Sequence, residues 1–211
     1  MTMPTYTMFL DIHRLQAGAE FLPEAPCGAL WVRQGAVFVD GAIVPTGEGS
    51  VAADGQAVET ATGAEIWHFG VVAGDRPESP GNRRLTGSFE FAAPHAILRL
   101  DQVTFPSQAV AWRHVHPGAG IRCLVEGGLE IRSDHDTQMM APGQAWFEAA
   151  DSPVQATAIE GTTSSFVRAM VLPEGFAGQP TLRFLDPADA EKPRLQENSR
   201  FVDHRVTLRT P

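Results

Sequence analysis

Residues 105–128 read FPSQAVAWRHVHPGAGIRCLVEGG. Two alternating runs flank a His-x-His pair, His114 and His116, and Pro117-Gly118 ends the first of them. Residues two apart on a strand point to the same face. Alternation therefore puts Val110, Trp112, His114 and His116 on one face of the first run, and Gly120, Arg122 and Leu124 on one face of the second. Two imidazoles beside an aromatic ring, with an arginine close by, describe the wall of a pocket.

The rest of the chain is written in short strands. Its 20 glycines and 16 prolines are spread along 211 residues at turn spacing. A composition 43% apolar and 19% charged suits one large or two small folded domains. The net charge is −9 and no basic cluster exceeds Arg83-Arg84, which argues against nucleic acid as a partner. No apolar run approaches the ~20 residues of a membrane span. The start MTMPTYTMFLDIHRL lacks the basic and long apolar segments of a signal peptide, so a cytoplasmic protein with no membrane partner is expected. Cys27 and Cys123 stand far apart with no other cysteine, which excludes a zinc knuckle and makes Cys123 a structural thiol.

Strands are expected over residues 8–15, over 29–39 in two pieces about a tight turn at Gln34-Gly35, and over 65–72, with a hairpin at Asp40-Gly41. The polar, turn-rich segment GDRPESPGNRR marks a linker. Beyond it come strands over 96–105, 145–148, 154–159 and 165–172. A tail follows, with a helical turn over 187–192 and a last strand over 201–208. His68 is expected to face solvent or the other half of the chain, and His13 the surface. The two halves repeat: GALWVRQG at 28–35 lies over GIRCLVEG at 120–127, a shift of 92, and IWHFGVV at 66–72 lies over FVRAMVL at 166–172, a shift of 100.

Residues 108–127 resemble the first cupin motif, G-x5-H-x-H-x3,4-E-x6-G. Gln108 stands at the first Gly, His114 and His116 at the two histidines, Gly120 at the Glu ligand and Gly127 at the final Gly. The second cupin motif is weaker: Pro142-Gly143 and residues 145–148 fit its turn and strand, while Val154 stands where the third histidine would be. The resemblance implies an all-β fold of jelly-roll barrels, a bicupin. Its parts would be a degenerate first barrel over 1–75, a linker over 76–90, a second barrel over 91–172 and an extension over 173–211. At the shift of 92, Leu22 and Glu24 replace the histidine pair in the first barrel.

Family metal sites use three histidines and one glutamate, and this chain keeps two of the four. His114 and His116 would hold a divalent transition metal (Zn, Fe, Mn or Ni) with help from Glu148 or from His95. Otherwise they line a metal-free pocket with no cofactor. In that second reading His114, His116, Arg122 and Glu148 are the catalytic set, and Trp112, Arg122 and Trp146 line the ligand. An inward Arg122 either pairs with Glu148 or, if Glu148 points elsewhere, grips an acidic ligand. The corresponding activities are a metal-dependent dioxygenase or a metal-free isomerase or epimerase; the alternative is a non-catalytic small-molecule binding or sensing protein. A small-molecule ligand and a homodimer are the expected partners, with the tail a candidate for exchange between subunits.

Overall fold

The computed structural model describes residues 3–74 and 82–208. The first half contributes β1 (Thr5–Leu15), β2 (Glu20–Phe21), β3 (Cys27–Val39), β4 (Ala42–Pro45), β5 (Gly49–Val51), β6 (Val58–Glu59), β7 (Ala64–Ala73) and β8 (Arg83–Glu90). The second contributes β9 (His95–Phe105), β10 (Val110–Val115), β11 (Gly120–Glu126), β12 (Leu129–Ser133), β13 (Thr137–Met140), β14 (Ala145–Glu148), β15 (Val154–Ala158), β16 (Ser164–Pro173), β17 (Arg183–Phe184) and β18 (Glu197–Thr207). Among the described residues the only helices are two 3-10 turns, Glu174–Phe176 and Pro187–Glu191. None is long and apolar enough to cross a membrane.

The order β5-β3-β7-β1-β8 in the first half recurs as β14-β11-β16-β9-β18 in the second, and every pairing is antiparallel. In the second half a separate sheet, β13-β12-β15-β10-β17, lies opposite and makes a two-sheet jelly roll. In the first half the later part of β3 turns away to pair β4 and β6. Two separate strands with a tight turn at Gln34-Gly35 were expected there. The chain instead runs through as one bent strand, with a register shift between Val32 and Gln34 and Gly35 at φ +85°. The second half does the same work with two strands, β11 and β12, broken at Gly127 (φ +73°). A Cβ on Gly35 would meet the carbonyl of Gly63 at 2.4 Å, and one on Gly127 the carbonyl of Thr163 at 2.4 Å, so the same close approach recurs at both bends. The Asp40-Gly41 hairpin is present, with φ of 49° and 80° at its two central residues.

Long strands buried on both faces read as near-continuous apolar runs, and their alternation sorts side chains between two cores. On β9, Ala96, Leu98 and Leu100 point one way, and Ile97, Arg99, Asp101, Val103 and Phe105 the other. The first set joins Ile121 and Cys123 of β11, Val167 and Ala169 of β16, and Met8, Leu10, Trp31 and Phe69 of the first half in one continuous core. The two five-stranded faces thus pack on each other, each buried Leu, Ile, Val, Met or Phe contributing about 1.5–3 kcal/mol. Separate cores fill the interior of the first half (Leu30, Val32, Ile66) and the closed end of the second (Phe105, Leu129, Phe166). Cys27 and Cys123 are buried thiols in the shared core; Cys27 Sγ donates to the Thr207 carbonyl at 3.4 Å, and burial pushes Cys123 up to about 12.

Four expectations change. The linker over 76–90 is replaced in its later part by β8, where Leu85 and Phe89 alternate with polar residues and pair against β1; residues 75–81 lie outside the described residues. The extension expected over 173–211 is part of the second half as far as residue 208: β18 pairs β9 and β17 pairs β10, completing both of its sheets. His68 is buried inside the first half, its Nε2 3.1 Å from the Ala52 carbonyl, because β7 turns it away from the shared core. His13 is half-buried, its ring stacked on Phe21 at 4.2 Å.

Where β8 crosses β14, the ring of Phe147 lies on Gly87, with Cδ2 2.1 Å from where a Cβ would stand. Glycine to alanine in a strand is ordinarily neutral or stabilising. Gly87→Ala should instead destabilise by about 1–3 kcal/mol through overpacking, read as a lower midpoint in urea unfolding.

Candidate functional site

One row of inward side chains crosses the sheet of the second half. Register partners run Trp146 (β14), Arg122 (β11), Arg168 (β16), Asp101 (β9) and Arg200 (β18). Arg122 and Arg168 are direct cross-strand neighbours, an arrangement that like charges disfavour unless each is offset. Arg168 is answered by Asp101, with Nε to Oδ1 at 2.9 Å and Nη2 to Oδ2 at 2.8 Å, both residues buried. Arg122, 1% exposed, is answered by Glu148, with Nη2 2.7 Å from Oε2. That approach is close enough for an ion pair but too oblique for a hydrogen bond, so Nη2 keeps an unsatisfied N–H. Its Nη1 donates to the carbonyl of Gly120 at 2.7 Å. The other oxygen of Glu148 accepts from Trp146 Nε1 at 2.8 Å. Burial pulls Arg122 down to about 10, with Glu148 opposing, so it remains charged at neutral pH.

The row faces a cavity of about 320 Å³, and the opposite wall is β10. His114 and His116 both line it and both are 5% exposed, their rings 4.9 Å apart and nearly perpendicular. Their tautomers follow from their partners. A carbonyl only accepts, so His114 Nδ1, 2.6 Å from the Trp112 carbonyl, carries the proton. Its Nε2 then holds a lone pair, with no hydrogen-bond partner among the described residues. A guanidinium only donates, so Arg168 Nη1 gives to His116 Nε2 at 3.2 Å. His116 Nδ1–H then donates to Thr181 Oγ1 at 3.2 Å. Both histidines are pushed below their ordinary range, first by burial. At His116 the charges of Arg168 and Arg122 push further the same way, while at His114 the Trp112 carbonyl and Glu148 partly oppose. Both are neutral at pH 7.

Of the residues read from sequence as site residues, five converge: His114, His116, Arg122, Trp146 and Glu148 all line the cavity. Trp112 does not. A register shift between Ala111 and His114 breaks the alternation of β10, so Ala111 faces the cavity. Trp112 is turned outward under the Lys192 ammonium, 3.9 Å from the ring centroid. His95 is also out of reach, placed against Thr207 at 3.3 Å. Val154 lies opposite His114 as its register partner and lines the cavity. Gln108 adopts φ +62°, the conformation that explains why the family motif has glycine there.

Sequence reading missed Asp101, Arg168, Arg99 and the tail residues that close the cavity. Two signals were available. The charges of Arg99, Asp101 and Arg168 interrupt strands that are otherwise apolar, ILRLDQV and SFVRAMV. Arg99 and Asp101 are also two apart, hence on one face. Arg99 holds the tail: Nε bonds Asp203 at 2.8 Å, Nη1 the carbonyl of Gln179 at 2.8 Å and Nη2 that of Phe176 at 2.7 Å. This brings Thr181 over His116.

The resemblance implies a metal on the histidine pair, and the donors do not suit one. A Cβ at Gly120, where the family has its glutamate, would meet Arg122 Nη1 at 3.1 Å and the Ala169 carbonyl at 2.4 Å, so a guanidinium stands in the space of the carboxylate ligand. His116 Nε2, the lone pair a metal would need, is taken by Arg168. Both oxygens of Glu148 are engaged. No group of three His, Cys, Asp or Glu side chains converges as a cation site among the described residues.

No protein-family model and no curated protein matches the chain. Solved structures do. AerE from Microcystis aeruginosa superposes with a TM-score of 0.56 at 12% identity, over 78% of this chain and 88% of that one. A cupin 2 conserved barrel domain protein from Leptotrichia buccalis gives 0.50 at 15%, over 78% and 84%. Salicylate 1,2-dioxygenase from Pseudaminobacter salicylatoxidans gives 0.55 at 10%, over 78% and 70%, and that enzyme has also been solved with gentisate. At these identities the likeness is one of fold.

Two outcomes test the site. Asp101→Asn leaves the buried Arg168 without its charge partner and should cost about 3–5 kcal/mol in chemical denaturation, while Asp101→Leu combined with Arg168→Met should recover most of it. The lowered histidines also set a pH dependence. Unfolded histidine takes up a proton near pH 6.5 but the buried pair does not, so the folded state binds fewer protons below that pH. Stability should be full above about pH 6.5 and decline as pH falls toward the lowered native values, a slope that His116→Gln makes shallower in melting curves.

Proposed function

We propose that this chain, which has the cupin fold, uses the cavity of its second half as a metal-free acid–base site for a small molecule, an isomerase- or epimerase-type activity. The reading rests on one observation above others: the Trp112 carbonyl holds His114 Nδ1–H, which leaves a neutral imidazole with its Nε2 lone pair at an enclosed cavity. A neutral imidazole of lowered pKa is a base available at pH 7. In the proposed step Nε2 takes a proton from a ligand C–H or O–H and returns it at a neighbouring atom, or on the opposite face of the same atom once the planar anion has turned over. The Trp112 carbonyl and the charge of Glu148 stabilise the imidazolium formed, and Arg122 and Arg168 stabilise the negative charge left on the ligand. His116, locked between Arg168 and Thr181, positions the row and takes no proton.

The fold is shared with dioxygenases, which makes metal dependence the competing reading, and the guanidinium groups on the cavity weigh against it. Proton exchange separates the two. Full-length protein would be incubated in deuterium oxide with chiral 2-hydroxy acids, 2-oxo acids and sugars, and C–H exchange followed by proton NMR. Exchange should occur with at least one of these, survive dialysis against a strong chelator, and fall by about a hundredfold or more in His114→Gln. Exchange lost on chelation and restored by Fe, Mn, Ni or Zn would overturn the metal-free reading; exchange unchanged in His114→Gln would overturn the base.

A further inference from the structure

Four arginines face the cavity, and their donors can be accounted for one by one. Arg168 gives Nε and Nη2 to Asp101 and Nη1 to His116. Arg99 gives all three nitrogens to Asp203 and the two tail carbonyls. Arg122 gives to Gly120 and pairs with Glu148. Arg200 differs. Its nearest charge partner is Asp203, at 3.6 Å, beyond hydrogen-bond distance, and Asp203 is already held by Arg99 and by the Gly178 N–H. Four guanidinium groups therefore meet three carboxylates, Asp101, Glu148 and Asp203. With both histidines neutral, one positive charge is left over, and it sits on Arg200, whose side chain is one-third exposed at the mouth.

Past this charged row the cavity changes character. Val103 and Phe105 follow Asp101 along β9, Phe166 precedes Arg168 on β16, and Ile131 and Ala156 come from the facing sheet; all line the cavity. Two buried polar atoms on its wall lack a well-aligned hydrogen bond, Arg122 Nη2, which meets Glu148 only obliquely, and Gln196 Oε1. Buried polar groups are ordinarily satisfied, so these are places for an occupant's polar atoms or for water.

We infer that the ligand is a compact monocarboxylic acid with an apolar ring or branched chain, its carboxylate held by Arg200 and its apolar body on the Val103–Phe105–Phe166 floor. The inference rests on the cavity proposed above as the site and names the class of molecule it takes. Charge-assisted hydrogen bonds from an uncommitted guanidinium supply the preference for an anion. One surplus charge fits a monoanion, and the apolar floor rejects a second carboxylate.

Calorimetric titration of the full-length protein with four probes decides it: benzoate, cyclohexanecarboxylate, benzamide and acetate. Both ring acids should bind at least about tenfold more tightly than benzamide, which keeps the ring and loses the charge, and than acetate, which keeps the charge and loses the ring. Arg200→Gln should weaken benzoate by about tenfold or more without moving the melting temperature of the free protein, and Arg200→Lys should restore part of the loss. Benzamide binding as well as benzoate, Arg200→Gln binding benzoate as wild type does, or no binding of either ring acid would each overturn the inference. Benzoate binding lost in Arg200→Gln, in a protein that shows no C–H exchange, would support this inference and sink the acid–base reading alone; exchange in a protein that binds neither ring acid would do the reverse.

Discussion

Two arginines stand side by side on neighbouring strands inside a barrel, and the geometry around them follows from that conflict. Arg122 and Arg168 are register partners on β11 and β16. Neither can turn to water, since both residues are buried. Each therefore requires its own carboxylate, and the sheet supplies them from the two outer sides of the pair: Asp101 from β9 and Glu148 from β14. Once Asp101 has taken two nitrogens of Arg168, the third points at His116 and fixes which imidazole nitrogen is bare. Once Arg122 folds back over Gly120, a side chain at that position has no room. The histidine tautomers, the glycine and the engaged Glu148 are consequences of one row of charges.

That row needs a rigid sheet behind it, and the first half provides it. The outer face of β9, β11 and β16 packs on the outer face of β1, β3 and β7 in one continuous core. Charged groups on one face are held in register by apolar packing on the other. The first half has the same strand order but a different interior. Leu30 stands where Arg122 does, at the shift of 92, and His68 stands where Arg168 does, at the shift of 100. There the imidazole Nε2 lies 2.8 Å from where a Cβ of Gly28 would stand, much as Arg122 covers Gly120. Phe9 and Phe21 pack around His68 at 5.7 and 5.3 Å. The first interior is filled by aliphatic side chains and these rings where the second is lined by paired charges around open space.

The tail is the third contributor. Arg99 bonds two of its carbonyls and Asp203, which places Thr181 on His116 and lays β18, with Arg200, beside Asp101. An ordered backbone with its carbonyls bound to a buried guanidinium is a wall of the cavity rather than a mobile arm. The cavity is thereby closed by residues distant in sequence from the histidine pair.

The chain's linear order by itself determined the all-β class, the repeat of its halves, the inward face of Gly120, Arg122 and Leu124, and the histidine pair at the end of β10, because strand alternation and turn glycines are local properties of the backbone. It also narrowed Arg122 to two partners, one of them Glu148. Tertiary structure decided the rest. The shift between Ala111 and His114 depends on what β10 pairs with, so Trp112 could not be placed outside the cavity from alternation alone. Asp101 and Arg168 read as isolated charges in apolar strands, and only cross-strand register made them a pair. Arg99 and Arg200 became part of the site because the tail docks on β9, a contact between segments about a hundred residues apart, which no local pattern encodes.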